Sequence, residues 1–182
     1  MYPYVRAVWG LWRARSLPPM GPFDTHVTYH RAWPLDTDIF GELNNGRILT
    51  LFELGRWHTL VRMGVLSTVL KKGVMFPVAG VSLRYRRRVP VFQNYRMQTR
   101  FVTFDERFFY AEQSMWQGET CMNQLLLRAG LKDKNGSLRP ADFMESLGMD
   151  SLPPEMPEWV KNWVDADATR PWPPESGPIF EN

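Results

Sequence analysis

The stretch from Gly46 to Met63 constrains the architecture more than any other part of the chain. In RILTLFELGRWHTLVRM an apolar stripe runs through Ile48, Leu51, Phe52, Gly55, Thr59 and Met63 at helical spacing, and Gly64 supplies the stop. Asn44 or Asn45 offers a side-chain oxygen for the N-cap. One long helix is therefore predicted. Gly55 in its middle costs about 1 kcal/mol of helix propensity relative to Ala, which points to a close approach of helix to sheet.

The runs on either side of this helix read as strands. THVTYHRAW, residues 25–33, alternates, with Thr25, Val27, Tyr29 and Trp33 on one face and His26, Thr28 and His30 on the other. Pro34 ends it, and Gly41 marks a turn in the irregular stretch that leads to the helix. After a short helical segment at 66–72, closed by Gly73, strands are predicted at about 76–89, 95–104, 108–117 and 119–131. Pro90 with Gln93 and Asn94, Asp105 to Arg107, and Gly118 separate them. A strand, a helix and then four strands on short turns describe an antiparallel sheet of about five strands wrapped around one long central helix, an α+β fold.

The 182 residues suffice for one ordinary domain, bracketed by a basic, aromatic arm at 1–20 and a Pro/Trp-rich extension at 135–182, with the domain itself at 21–134. In the extension, 140–147 has room for one or two helical turns. Trp159 and Trp163 stand at i and i+4 on a short helix beginning near Pro157. The arm holds three Arg, two Trp, two Tyr and no acid over residues 1–19. It suits a packed or disordered terminal arm, with peripheral membrane contact through residues 1–18 as the alternative. Arg13 and Arg15 break any apolar core of a signal peptide, so a cytoplasmic protein, membrane-associated at most, is expected.

Several chemistries find no support. A single cysteine, Cys121, excludes an internal disulfide, and no Cys/His spacing suggests a metal site. His26 and His30 fall about 13 Å apart on one strand face, too far to share a metal. The net charge is +3, yet residues 81–100 hold six Arg and no acid, while acids predominate after Pro140. Such a local basic patch suits a phosphate-bearing small ligand better than a nucleic acid. No Gly-x-Ser-x-Gly elbow is present, which removes the serine route to ester cleavage.

The stretch from Asp36 to Asn45 places two carboxylates, a glycine and two amides just before a helix N-terminus. Unsatisfied N–H groups there can polarise a carbonyl, and a carboxylate can attack a thioester or activate water. Plain capping of turn and helix explains the same residues equally well.

Read whole, Asp36-x-Asp38-x-x-Gly41-Glu42-Leu43-Asn44-Asn45 followed by Phe52-Glu53-Leu54-Gly55-Arg56 resembles the hotdog thioesterase superfamily that includes 4-hydroxybenzoyl-CoA thioesterase. There, Asp-x-Asp-x-x-Gly-His-Val-Asn-Asn precedes a helix bearing an acid and an arginine. The resemblance covers about residues 24–131. The runs Val81 to Arg87 and Phe104 to Gln113 are similar to the branch around thioesterase superfamily member six, whose members can carry an amino-terminal membrane-associated segment. No hydratase signature of the Gly-Asp-x-Asn-Pro-x-x-x-His kind accompanies it.

The resemblance implies a hotdog domain that hydrolyses acyl-CoA, forms a homodimer or a dimer of dimers, and needs no cofactor beyond the coenzyme A of its substrate. It implies Asp38 as nucleophile or general base, and backbone N–H groups of Asn45 and Gly46 on the thioester oxygen. Glu53 is the alternative carboxylate, unless it only pairs with Arg56. Asn44 and Glu42 adjoin the substrate, and Glu42 departs from the pattern by standing where histidine is usual. A binder of acyl-CoA or lipid without turnover is the competing expectation. Arg84, Arg86 and Arg88 share one strand face by alternation and suit coenzyme A phosphates; a solvated face or subunit contact suits them equally.

Overall fold

The computed structural model describes residues 2–175 and Gly177. Its elements are α1 (Tyr4–Arg15), β1 (His26–Arg31), α2 (Asn45–Arg62), α3 (Leu66–Lys72), β2 (Val78–Tyr85), β3 (Asn94–Phe104), β4 (Phe109–Gln117), β5 (Thr120–Ala129), β6 (Leu131–Asp133), β7 (Gly136–Leu138), α4 (Pro140–Ser146) and α5 (Glu158–Ala168). Five strands form one sheet in the order β1-β3-β4-β5-β2, with every neighbouring pair antiparallel. This is the hotdog arrangement of α+β type, and β1 and β2 are its edges.

The helix begins where the cap chemistry directs. Asn44 Oδ1 accepts from the N–H groups of Gly46 at 2.9 Å and Arg47 at 3.2 Å, which makes Asn44 the N-cap and stabilises the helix by about 1 kcal/mol. Ile48, Leu51 and Phe52 descend onto Met97, Ala111, Met115, Leu125 and Leu127 on the inner face of the sheet. Burying Phe52 alone contributes roughly 1.5–3 kcal/mol. Gly55 explains the closeness of this contact, because a Cβ there would lie 2.7 Å from Thr99 Oγ1 and 2.8 Å from Met97 Cε.

Three stretches depart from the sequence reading. The strand expected at 76–89 ends at Tyr85, where the N–H groups of Arg86 and Arg87 both donate to the Met122 carbonyl and the ladder stops. Alternation therefore does not carry through to Arg86 and Arg88. The strand expected at 119–131 ends at Ala129, and Leu131 opens a separate hairpin of β6 and β7, turned at Gly136 with φ of 127°. The amino-terminal arm is a helix. Lacking bulk at Ala7, Gly10 and Ala14, α1 lies along α2, and a Cβ on Gly10 would fall within the His58 ring.

In the extension, α4 closes one end of the core, with Phe143 and Met144 packed beside Leu60, Val69 and Phe109. On the outer face of the sheet, Val160 and Trp163 of α5 cover Val102, Tyr110 and Leu126. Arg128 anchors that helix through an ion pair with Asp167 at 2.5 Å.

Candidate functional site

The loop between β1 and α2 is a tight hairpin of its own. Asp38 N–H donates to the Glu42 carbonyl at 2.9 Å, Leu43 N–H to the Val89 carbonyl at 2.9 Å, and Gly41 takes a φ of 71°. Asp38 is half-buried, and its Oδ1 accepts from Phe40 N–H at 2.9 Å, which aims the carboxylate back along its own loop. The loop tip leaves Ile39 92% and Phe40 78% exposed. Glu42 is half-buried and makes an isolated bridge with Pro90.

Asp36 has a separate role. Its side chain is 4% exposed, held by Arg6 Nη2 at 2.7 Å and Arg47 Nε at 3.4 Å. The first carboxylate of the motif thus fastens α1 to the start of α2 and serves packing.

At the helix start, the two amides singled out in the sequence are not equivalent. Gly46 N–H already donates to Asn44 Oδ1 at 2.9 Å, so it would have to share that bond to meet a thioester oxygen. Asn45 N–H has no hydrogen-bond partner among the described residues and is the available donor. The Asn45 carbonyl accepts from the Tyr85 hydroxyl at 3.1 Å, a contact that the sequence reading missed. Its signal was legible, because Tyr85 shares the inward face with Val81 and Leu83.

Two turns further along α2, Glu53 and Arg56 stand at the edge of a cavity of about 240 Å³ between the helix and the sheet. Its mouth lies between these two half-exposed side chains and the exposed Val78 on β2. Its depth is formed by buried Leu60, Phe109, Ala111, Leu127 and Ala129. The small side chains of Ala111 and Ala129 leave the space open. Glu53 and Arg56 form no ion pair within 4 Å, which corrects that expectation. Arg56 Nη1 instead donates to Gln113 Oε1 at 2.6 Å, and Trp57 Nε1 donates to Glu53 Oε1 at 3.4 Å. Burial lowers the Arg56 guanidinium to about 10. Gln113, fully buried, also donates to the Phe52 carbonyl at 2.7 Å and to Thr99 Oγ1 at 2.8 Å, so the helix, the arginine and the sheet form one network.

Not all the candidates converge. Eight residues of helix put Asn45 and Glu53 about 12 Å apart along one α2. Arg84 alternates to the outer face of the sheet, where it lines a groove with Arg100, Glu112, Trp159 and Trp163, away from α2. Arg86 and Arg88 are exposed beyond the end of β2. His26, His30 and His58 gather beneath α1, and Cys121 is half-buried, its thiol raised by burial, which weakens it as a nucleophile. Among the described residues, no three His, Cys, Asp or Glu side chains are grouped to hold a metal ion.

Comparison with known proteins adds family and fold. Residues 24–164 match the family model described as the thioesterase-like superfamily. Protein THEM6 of Drosophila melanogaster is 27% identical over 146 residues, covering 79% of this chain and 74% of its own length. Protein THEM6 of Xenopus laevis is 25% identical over 134 residues, 72% of this chain and 63% of its own. Among solved structures, the DHNA-CoA thioesterase of Staphylococcus aureus aligns with a TM-score of 0.59 at 15% identity, covering 86% of this chain and 97% of that one. A 1,4-dihydroxy-2-naphthoyl-CoA thioesterase from Synechocystis aligns at 0.57 with 11% identity, covering 64% and 89%. At such identities the structural likeness is one of fold.

Proposed function

The chain belongs to the thioesterase-like superfamily, and from that premise we propose that it hydrolyses an acyl-CoA thioester to the free acid and coenzyme A. The observation that carries this reading is the apolar cavity beside α2, on the same helix as the Asn45 backbone N–H, which has no hydrogen-bond partner among the described residues. The cavity takes the acyl group, and the donor polarises the carbonyl where negative charge develops.

In this reading the Asp38 carboxylate acts as nucleophile or general base. As base it accepts a proton from water, and the water oxygen bonds to the thioester carbon. The resulting oxyanion faces the Asn45 N–H, the C–S bond breaks, and the departing thiolate of coenzyme A takes up the proton. Arg86 and Arg88, beyond β2 and next to the Tyr85–Asn45 contact, are assigned to the phosphates of coenzyme A. Asn44 and Glu42 border the same approach. The cavity favours a second reading in which Glu53 is the reacting carboxylate, since it lines the space and Asp38 does not.

A homodimer fits both readings. Asn45 and Glu53 lie too far apart on one helix to act on a single thioester bond. The β2 edge leaves Val78, Val81 and Tyr85 exposed, and the loop tip does the same with Ile39 and Phe40. A second copy paired along β2 covers these groups and brings the helix start of one protomer toward the cavity of the other. The outward face of α1, with Val5, Val8, Trp9 and Trp12 beside exposed Arg13 and Arg15, suits contact with an anionic membrane surface.

The test is release of free thiol from acyl-CoAs by the purified full-length protein, in the wild type and in Asp38→Asn and Glu53→Gln. The carboxylate whose loss abolishes turnover is the reacting one. Micromolar acyl-CoA binding without thiol release gives the alternative, a non-catalytic acyl-CoA or lipid binder.

A further inference from the structure

The cavity beside Glu53 ends on a partition. Leu60, Phe76, Phe101 and Phe109 line its deep side, and the same four residues line a second void of about 20 Å³ beyond them. That second void is closed by Phe143, Met144 and Leu147 of α4 and its C-terminal turn together with Pro22, Phe23, Met63 and Val65. The rings of the partition are in aromatic contact: Phe101 and Phe109 are tilted at 59° with centroids 6.0 Å apart, and Phe76 meets Phe143 of α4 edge to face at 5.9 Å and 80°. Phe76 lies outside the strands, just before β2, and is only partly buried, and Phe143 stands against its ring.

The lining also limits the chemistry of an occupant. Beyond Glu53 and Arg56, the one polar side-chain group in the lining among the described residues is the indole N–H of Trp57, which is already directed to Glu53. A hydroxylated aromatic acid would leave its hydroxyl without a partner there, whereas a hydrocarbon tail needs none.

We propose that this cavity selects aliphatic acyl tails and that α4, through Phe143 against Phe76, sets the longest tail admitted. The proposal rests on the acyl-CoA reading above. It gives the carboxy-terminal extension a role in specificity: α4 is the backstop of the acyl site, and Phe143 is its positioning residue.

The experiment is calorimetric titration of the full-length protein with non-hydrolysable thioether analogues of acyl-CoA, from butyl to hexadecyl, so that turnover plays no part. Affinity rises about fourfold with each methylene buried, then breaks at the chain length that reaches the phenylalanine partition. Phe143→Leu moves the break to longer chains. Ala129→Val, which fills the cavity from β5, moves it to shorter ones. Thermal melts establish that each variant is folded, and if Phe143→Leu does not fold, Ala129→Val together with Phe76→Leu decides. Breaks displaced in these opposite directions bear the proposal out. A break that stays put in the variants overturns the role of α4 while leaving the acyl-CoA reading intact. Binding with no dependence on chain length in the wild type overturns the cavity as the acyl site, and thiol-release assays then judge the hydrolase reading separately.

Discussion

The Tyr85 hydroxyl donates to the Asn45 carbonyl at 3.1 Å, tying the sheet-edge strand β2 to the first turn of α2. That turn carries the free N–H assigned to the thioester oxygen, so the tyrosine holds the donor in place without touching the reacting atoms. Tyr85→Phe removes one hydrogen bond worth about 1 kcal/mol, equivalent to about fivefold. The expected result is a fall of that size in kcat with a smaller change in KM. An unchanged kcat removes Tyr85 from the positioning of the helix start.

Gly55→Ala sets two opposing effects against each other. Helix propensity gains about 1 kcal/mol, but the new methyl group meets Thr99, Met97 and Gln113 at 2.7 to 3.1 Å, and overpacking of this kind costs about 1–3 kcal/mol. The contacts belong to the Gln113 network and to a core methionine, so the loss exceeds the gain. Urea unfolding shows a lower midpoint for the variant; an equal or higher midpoint contradicts the close helix-to-sheet contact.

How far the sequence disclosed this molecule depends on whether the signal was periodic. The stripe from Ile48 to Thr59 and the mid-helix Gly55 foretold the helix and its closeness to the sheet, because both follow from spacing and from the missing Cβ. The three strands from β3 to β5 were legible for the same reason. The end of β2 at Tyr85 was not. It depends on two N–H groups sharing the Met122 carbonyl, and nothing in the run of arginines marks that event. Assignment of Arg84, Arg86 and Arg88 to one face failed with it.

The site was half legible. Asn44, Asn45 and Glu53 follow from their places at and along the helix. Which amide is left free depends on the Asn44 side chain, and the Gln113–Arg56 bond joins residues 57 positions apart, so neither could be read from local spacing.

Acid destabilises this fold through its histidines. His26 and His58 pack edge to face at 6.0 Å beneath α1, with His26 Nδ1 beside Arg62 Nη1 at 2.9 Å. Burial above all lowers each from 6.5 to about 4, and lowers His30 to about 3. These imidazoles stay neutral in the folded chain while the unfolded chain protonates them, so the unfolded state binds more protons below about pH 6.5. Stability is at its plateau above that value and declines as pH falls toward about 4. Urea midpoints at about pH 7 and about pH 5 report this decline, and His58→Gln makes it shallower. Equal midpoints at the two pH values in the wild type contradict it.

The face of α1 that carries Trp9 and Trp12, 59% and 62% exposed, is predicted to bind membranes. The full-length protein co-sediments with phosphatidylserine vesicles more than with phosphatidylcholine vesicles. Trp9→Ala with Trp12→Ala weakens that binding at least tenfold, as expected for two buried indoles. Equal sedimentation of wild type and variant rejects the membrane role of α1.

Thioester hydrolysis is the central claim, and thiol release from acyl-CoAs of graded chain length tests it most directly. The wild type is predicted to liberate coenzyme A catalytically. Asp38→Asn, with an unchanged melting profile, lowers kcat on the order of a hundredfold to ten-thousandfold, whereas Glu53→Gln chiefly raises KM. A loss of kcat confined to Glu53→Gln transfers the carboxylate role to Glu53. A folded wild-type protein that binds acyl-CoA but releases no thiol at any chain length contradicts the account.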